Sequence, residues 1–194
     1  MKATRFGVLL AVAGASLLGG QSATERKATA TVCMKPDQQM LMGVRPLASA
    51  IFARIGVGID WREPNSCPAG VGVIRVEWSY DSRRYPHAEA LAFAKPYAGT
   101  IVVFVDRVQE MDRSGVRFVM AHVLVHEITH IIEGIDRHSA SGVMKAHWNA
   151  DDYFAMRRKP LMFAQEDIDL IHAGLKTRRA RPVAVVTGAP VAGQ

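Results

Sequence analysis

The sequence predicts a single α+β domain in which a small mixed sheet packs on one long, buried helix, and three observations carry that expectation. Residues 114–132, SGVRFVMAHVLVHEITHII, are apolar on most faces of a helix, so the helix they form belongs inside the molecule. Three extended stretches precede it, at 71–79, 90–97 and 100–108, and a further helical pattern follows near Gln165. About 170 residues remain once an amino-terminal leader is set aside, enough for one core and too few for two.

The leader comes first. Lys2 and Arg5 precede an apolar run from Phe6 to Leu18, and small residues follow as far as Ser22 and Ala23, so residues 1–23 read as a secretory signal peptide. The run is too short and too rich in Gly and Ala to span a bilayer, and no second stretch of spanning length follows. The expected product is exported, periplasmic or extracellular, with no stable membrane span. In an oxidising compartment the chain's 2 cysteines, Cys33 and Cys67, are expected to form one disulfide. In the chain-entropy account a loop of that length contributes roughly 3 to 4 kcal/mol.

From Asp37 to Ile55 the apolar residues Met40, Leu41, Val44, Leu47, Ala48, Ile51, Phe52 and Ile55 form a helical stripe, with Pro46 as a candidate kink and Gly56 and Gly58 beyond its end. Of the three extended stretches, TIVVFVDRV at 100–108 is β-branched and nearly all apolar, like a buried strand. ALAFAKPY at 90–97 contains Pro96 and reads as an edge. Ser114 is the candidate cap of the long helix. The last helix opens with Glu166, Asp167 and Asp169, acids that suit a helix amino terminus, and fades at Gly174. Residues 24–175 are therefore the expected folded domain. The basic and then Pro-, Gly-, Ala- and Val-rich stretch 176–194 is the expected disordered tail.

The formal charge is +6, and loss of Lys2 and Arg5 with the leader removes two of those charges. The remaining excess is concentrated at 157–159 and 176–181, which read as a solvated face and a frayed end. No platform of interleaved aromatic and basic residues is present in the sequence, so nucleic acid is not an expected partner.

The chemistry is concentrated in HEITHIIEGIDRHSASGVM, residues 126–144. His126 and His130 lie one helical turn apart and can present imidazole nitrogens to one ion, with Glu127 facing a metal-held water as general base. A shuffled chain with 7 His and this Glu content gives the pattern roughly 0.01 times, which makes accident a poor explanation. Two buried imidazoles and a carboxylate with no ion between them would each need another partner. His122 lies one turn earlier on the same face. Three histidines along successive turns span about 12 Å, too far for one tetrahedral centre, so His122 reads as a packed neighbour. Glu133, Asp136 and His138 are the nearby candidates for a third ligand.

The segment resembles the signature of the metzincin zinc peptidases, HExxHxxGxxH followed by a methionine turn, with the spacing relaxed. Counted from His130, that family places its glycine three residues on and its third ligand six on; here Gly134 is four on, Asp136 six on and His138 eight on. The segment is more similar still to small exported bacterial proteins that carry HExxHxxxGxxxHSxxGVM. The resemblance implies a metzincin-like zinc peptidase domain with a Met-turn and a carboxyl-terminal helix. It implies Zn2+ on His126 and His130, Glu127 as general base, Met144 in the Met-turn, and a peptide or protein substrate laid along the edge strand at 91–97. Tyr153 and Tyr97 are candidates to assist the oxyanion.

For the third ligand the expectation is His138. It offers the preferred nitrogen donor, and Gly134 lets the chain leave the helix and reverse before reaching it. Asp136 keeps the family's count and stands as the alternative. Glu133 sits on the helix itself and would crowd one line. Two further readings stay open: a gluzincin-like peptidase with Glu166 as third ligand, and a zinc-binding structural or interaction protein without turnover.

Overall fold

The computed structural model describes residues 28–35, 42–70, 72–86 and 89–180. The expected signal peptide at 1–23, the start of the expected 37–55 helix and the end of the expected tail lie outside the described residues.

Alternation of buried and open positions builds the sheet. Its strands are β1 (Ala28–Met34), β2 (Val57–Arg62), β3 (Ile74–Ser79), β4 (Ala92–Lys95) and β5 (Thr100–Phe104), in the spatial order β2-β1-β3-β5-β4. The β1–β2, β1–β3 and β3–β5 pairs are parallel, and β4 runs antiparallel to β5. Ala30, Val32, Ile74, Val76, Ile101 and Val103 turn one face into the core, while Arg75 and Glu77 point the other way into solvent. On that second face Phe93, Phe104 and Tyr85 form an aromatic cluster, with ring centroids 5.0 to 5.9 Å apart.

Five helices complete the domain: α1 (Val44–Ala53), α2 (Val105–Met111), α3 (Val116–Glu133), α4 (Ala150–Arg158) and α5 (Gln165–Ala180). The central one is α3, which touches β4 and β5 along the sheet and α1 and α5 among the helices. Every residue from Val119 to Ile132 is buried, the polar His122, His126, Glu127, Thr129 and His130 included, as a helix apolar on most of its faces requires. Gly134 ends it in the left-handed region, at φ 72°, with its N–H donating to His130 O. That is the glycine C-cap the sequence called for. Among the described residues no helix is long and apolar enough to cross a membrane.

Several element boundaries differ from the sequence reading, each for a local reason. α1 starts at Val44, so Pro46 falls in the first turn, where its missing N–H costs nothing, and it is not a mid-helix kink. The apolar stretch 100–108 is divided: it is a strand to Phe104 and then the helix α2. Ser114 does not cap α3. Gly115 occupies that position, and Asp112 Oδ1 accepts both the Gly115 N–H at 2.8 Å and the Ser114 hydroxyl at 3.2 Å. α5 does not fade at Gly174 but continues to Ala180, through part of the stretch expected to fray. Strands β1 and β2 and helix α4 complete the domain without having been expected. Cys33 of β1 and Cys67 are joined in a disulfide, with Cα atoms 5.7 Å apart.

Candidate metal centre

The site is set by the pitch of α3 and by the loop that follows it. His126 and His130 share one face of the helix, and His138 returns from the loop to meet them. The ring centroids form a near-equilateral triangle, at 4.7 Å for His126 and His130, 5.2 Å for His126 and His138, and 5.0 Å for His130 and His138. Each ring offers one nitrogen, and the three nitrogens lie within 4.8 Å of one another.

Two of the rings are oriented by backbone carbonyls. His126 Nδ1 is 2.9 Å from Val143 O, and His130 Nδ1 is 3.3 Å from Ile135 O. A carbonyl can only accept, so each Nδ1 carries the proton and each Nε2 is left with a bare lone pair. Those two Nε2 atoms face each other at 3.0 Å. Two lone pairs do not share such a gap without a positive charge between them. Burial, above all, pushes His126 down to about 4 and lowers His130, so a proton is a poor occupant near neutral pH. A tetrahedral zinc with Zn–N bonds of 2.0–2.1 Å holds its nitrogens about 3.3 Å apart, close to the 3.0 Å between the His126 and His130 Nε2 atoms. The donor set therefore fits a divalent metal of that kind.

Glu127 lies on the wall of the same cleft, which measures about 620 Å³ and is also lined by Ala94, Val123, Asp136 and Trp148. Its carboxyl is buried and bonded to the Ala94 backbone; burial first, and then the Asp136 carboxylate, push it up to about 8. The Ala94 amide is available because of strand register. Phe104 N–H donates to Leu91 O, so alternation turns Phe93 and Lys95 toward β5 and leaves the backbone groups of Ala92 and Ala94 on the free edge. Pro96 follows directly after that edge strand.

The other expected residues fall into three groups. Met144 is buried at the end of a turn closed by Ser139 N–H on Met144 O at 2.8 Å, the same turn that supplies Val143 O to His126. Asp136 lines the cleft but is exposed and is not one of the three converging donors. Glu133 and Glu166 lie elsewhere: both face Arg137, at 3.9 and 3.6 Å, and Glu166 is 71% exposed. The gluzincin-like arrangement through Glu166 is thus not the one the fold assembles. His122 is a satisfied core histidine, its Nδ1 donating to Phe118 O and its Nε2 accepting from Leu161 N–H. Tyr97 is fully exposed and outside the cleft, whereas Tyr153 lines it.

Sequence reasoning missed Trp148, whose indole stands edge-on to His126 at 5.7 Å and to Tyr153 at 6.3 Å and walls the cleft. It missed the orienting carbonyls as well. Neither leaves a local signal, because a carbonyl has no residue type and Trp148 lies outside the histidine motif.

No protein-family model matches the chain, and no curated protein sequence does. Solved structures do. An archaemetzincin from Methanopyrus kandleri is 15% identical over 79% of this chain and 99% of that one, with a TM-score of 0.54. A zinc-dependent peptidase from Methanocorpusculum labreanum is 14% identical over 73% of this chain and 99% of that one, also with a TM-score of 0.54. The chain thus has the fold of the archaemetzincin-like peptidases, a mixed five-stranded sheet and helices in one α+β domain.

Proposed function

We propose that this protein is a zinc-dependent peptidase, with His126, His130 and His138 as the metal ligands and Glu127 as the general base. The observation that carries the reading is the pair of bare Nε2 lone pairs held 3.0 Å apart by carbonyls behind them, with a third imidazole closing the triangle. Neutral imidazoles in that arrangement are suited to hold a metal ion.

Zinc held there supplies Lewis acidity, bringing the ionisation of water toward neutral pH and polarising a carbonyl. The chain supplies the rest. The outer edge of β4 presents the Ala92 N–H and C=O and the Ala94 C=O, onto which a substrate strand can add its own backbone, while the Ala94 N–H is engaged by Glu127. That docking lays a scissile bond across the cleft beside Glu127. Glu127, whose carboxylate form is favoured by any cation next to it, takes the proton of the attacking water and passes it to the leaving amine. Trp148 and the buried wall of α3 limit the water that reaches the site. Tyr153 lines the same cleft and is the candidate hydroxyl to meet developing negative charge on the carbonyl oxygen. The disulfide is compatible with the export expected from the amino-terminal residues.

The test is metal analysis of the purified protein together with cleavage of a diverse peptide pool. One equivalent of zinc and hydrolysis by wild type are expected. Glu127→Gln should retain zinc and lose hydrolysis by at least about 100-fold, since the base is not a ligand. Zinc without cleavage of any peptide, even at high protein concentration, would replace the peptidase with a zinc-binding structural role.

A further inference from the structure

We propose that Asp167 is the positioning residue for the third ligand: a buried carboxylate on α5 that fixes His138 by holding the residues on both sides of it. The inference rests on the metal reading of the three histidines.

His126 and His130 are fixed by a rigid helix and by a carbonyl behind each ring. His138 has neither support. It lies on the loop between α3 and α4, it is exposed, and its ring makes no hydrogen bond among the described residues. A third donor on so free a loop would spend part of its binding energy on ordering the chain.

Asp167 provides the missing constraint. It is 0% exposed and sits in the first turn of α5. Its Oδ1 accepts from Arg137 Nη2 and from Ser139 Oγ, both at 2.5 Å, and its Oδ2 accepts from the Ala164 N–H at 3.0 Å. The last bond caps the helix. The other two grip the immediate neighbours of His138. Residues 136–139 lie in neither helix nor turn, and their side chains alternate in direction: Arg137 and Ser139 reach Asp167, while the His138 ring meets His126 and His130. Drawing 137 and 139 toward α5 therefore presents 138 on the opposite side, toward His126 and His130. The arrangement is firm because a buried carboxylate that loses a partner is left as an uncompensated charge. Arg137 also faces Glu133 and Glu166, but at 3.9 and 3.6 Å, beyond hydrogen-bond range.

The strap continues along the same segment. Met162 O accepts the N–H of Val143, whose own carbonyl orients His126, and Leu161 N–H donates to His122. Residues 161–167 therefore reach both halves of the site from behind, and Asp167 is the member assigned to His138.

The experiment measures zinc affinity by chelator competition and the visible spectrum of the cobalt(II) form, with the full chain as wild type, D167N, S139A, H138A and D167N/H138A. Outer-shell partners of metal ligands are worth about 10- to 100-fold in affinity. D167N is expected to lose zinc affinity on that scale, to move the cobalt spectrum toward that of H138A, and to cost nothing further in the H138A background. S139A, which keeps the buried ion pair, should show a smaller loss that likewise vanishes in that background. If D167N does not fold, S139A and S139A/H138A decide the question. Affinity unchanged in the folded variants overturns the inference, as does a loss that adds in full to that of H138A, because Asp167 would then act on the fold and not through His138. A wild-type protein that takes up no zinc overturns the metal reading and this inference with it. Zinc bound equally by wild type and D167N overturns this inference alone.

Discussion

His126 and His130 each spend the Nδ1 proton on a carbonyl of the chain, and nothing of the protein's own is left to fill the 3.0 Å between their Nε2 atoms. The same reasoning ranks the two candidates for third donor. His138 brings a nitrogen into the triangle, while Asp136 stays on the open side of the cleft and acts on Glu127 through its charge. His138→Ala should weaken zinc binding by at least about 100-fold, whereas Asp136→Ala should leave it within a few-fold; chelator competition reads both, and the reverse order would move the ligand to Asp136. Glu133 allows a separate test by pH. Its side chain is wholly buried, neither carboxylate oxygen has a hydrogen-bond partner, and burial, against the pull of Arg137, raises it from 4.5 to about 7. Between those values the folded protein holds a proton that the unfolded chain releases, so Glu133 costs stability as pH rises from 4.5 to about 7, and the cost is constant above that. Glu133→Gln should match wild type near pH 4 and exceed it at pH 8 by on the order of 1 to 3 kcal/mol in urea unfolding. A gap that shrinks as pH rises would show that Glu133 is ionised and supported in the native protein.

At the scale of elements, α3 and α5 pack so closely that a Cβ at Gly174 would lie 2.2 Å from Ile132 O. Backbone on both sides leaves nothing flexible to yield, so Gly174→Ala should force the helices apart and cost about 1 to 3 kcal/mol, read as a lower urea midpoint with an unchanged slope. A variant as stable as wild type would mean that α5 can move off α3 freely. The elements that were legible in the sequence are those with a single strong pattern. α3 is apolar on most faces and has Gly134 as its stop, and β4 has Pro96 just past its end. The ones that were not have mixed patterns. β1 is an alternation of Ala and Thr too weakly apolar to register, and β2 begins among glycines that read as a helix ending. The β-branched run of β5 carries over into Val105, the first residue of α2, and the change to polar residues comes only at Asp106, inside the helix, so no signal marks the boundary itself. α4 buries only Met156 and lacks an apolar stripe, but Asn149 and Asp152 form a capping box that was readable at the right spacing. The histidine pair was legible because helical pitch is local. The carbonyls of Val143 and Ile135 were not, since only the path of the folded chain brings them there.

Across the whole molecule, the two structural commitments of the chain lie in different halves of the sheet. The metal site borders β4 at one edge, while the disulfide leaves β1, whose neighbours are β2 and β3, and closes a loop with a sequence separation of 34. The core joins them through Val32, Ile74, Val103 and the buried face of α3, with β5 between β3 and β4. The bridge acts chiefly on the unfolded chain by removing loop entropy, for roughly 3 to 4 kcal/mol on that model. The metal acts on the native state and stabilises it in proportion to the logarithm of its free concentration over Kd. Two contributions that touch different residues and different states should add. Reduction of Cys33–Cys67 is thus expected to lower Tm by roughly 10 °C in a domain of this size, whether or not zinc is present, and to leave zinc affinity within about twofold. Thermal unfolding of the oxidised and reduced protein, each with zinc and with chelator, checks both parts. If reduction instead weakens zinc binding by tenfold or more, the bridge is holding the native sheet in the geometry that α3 and β4 need, and the two halves of the sheet are coupled.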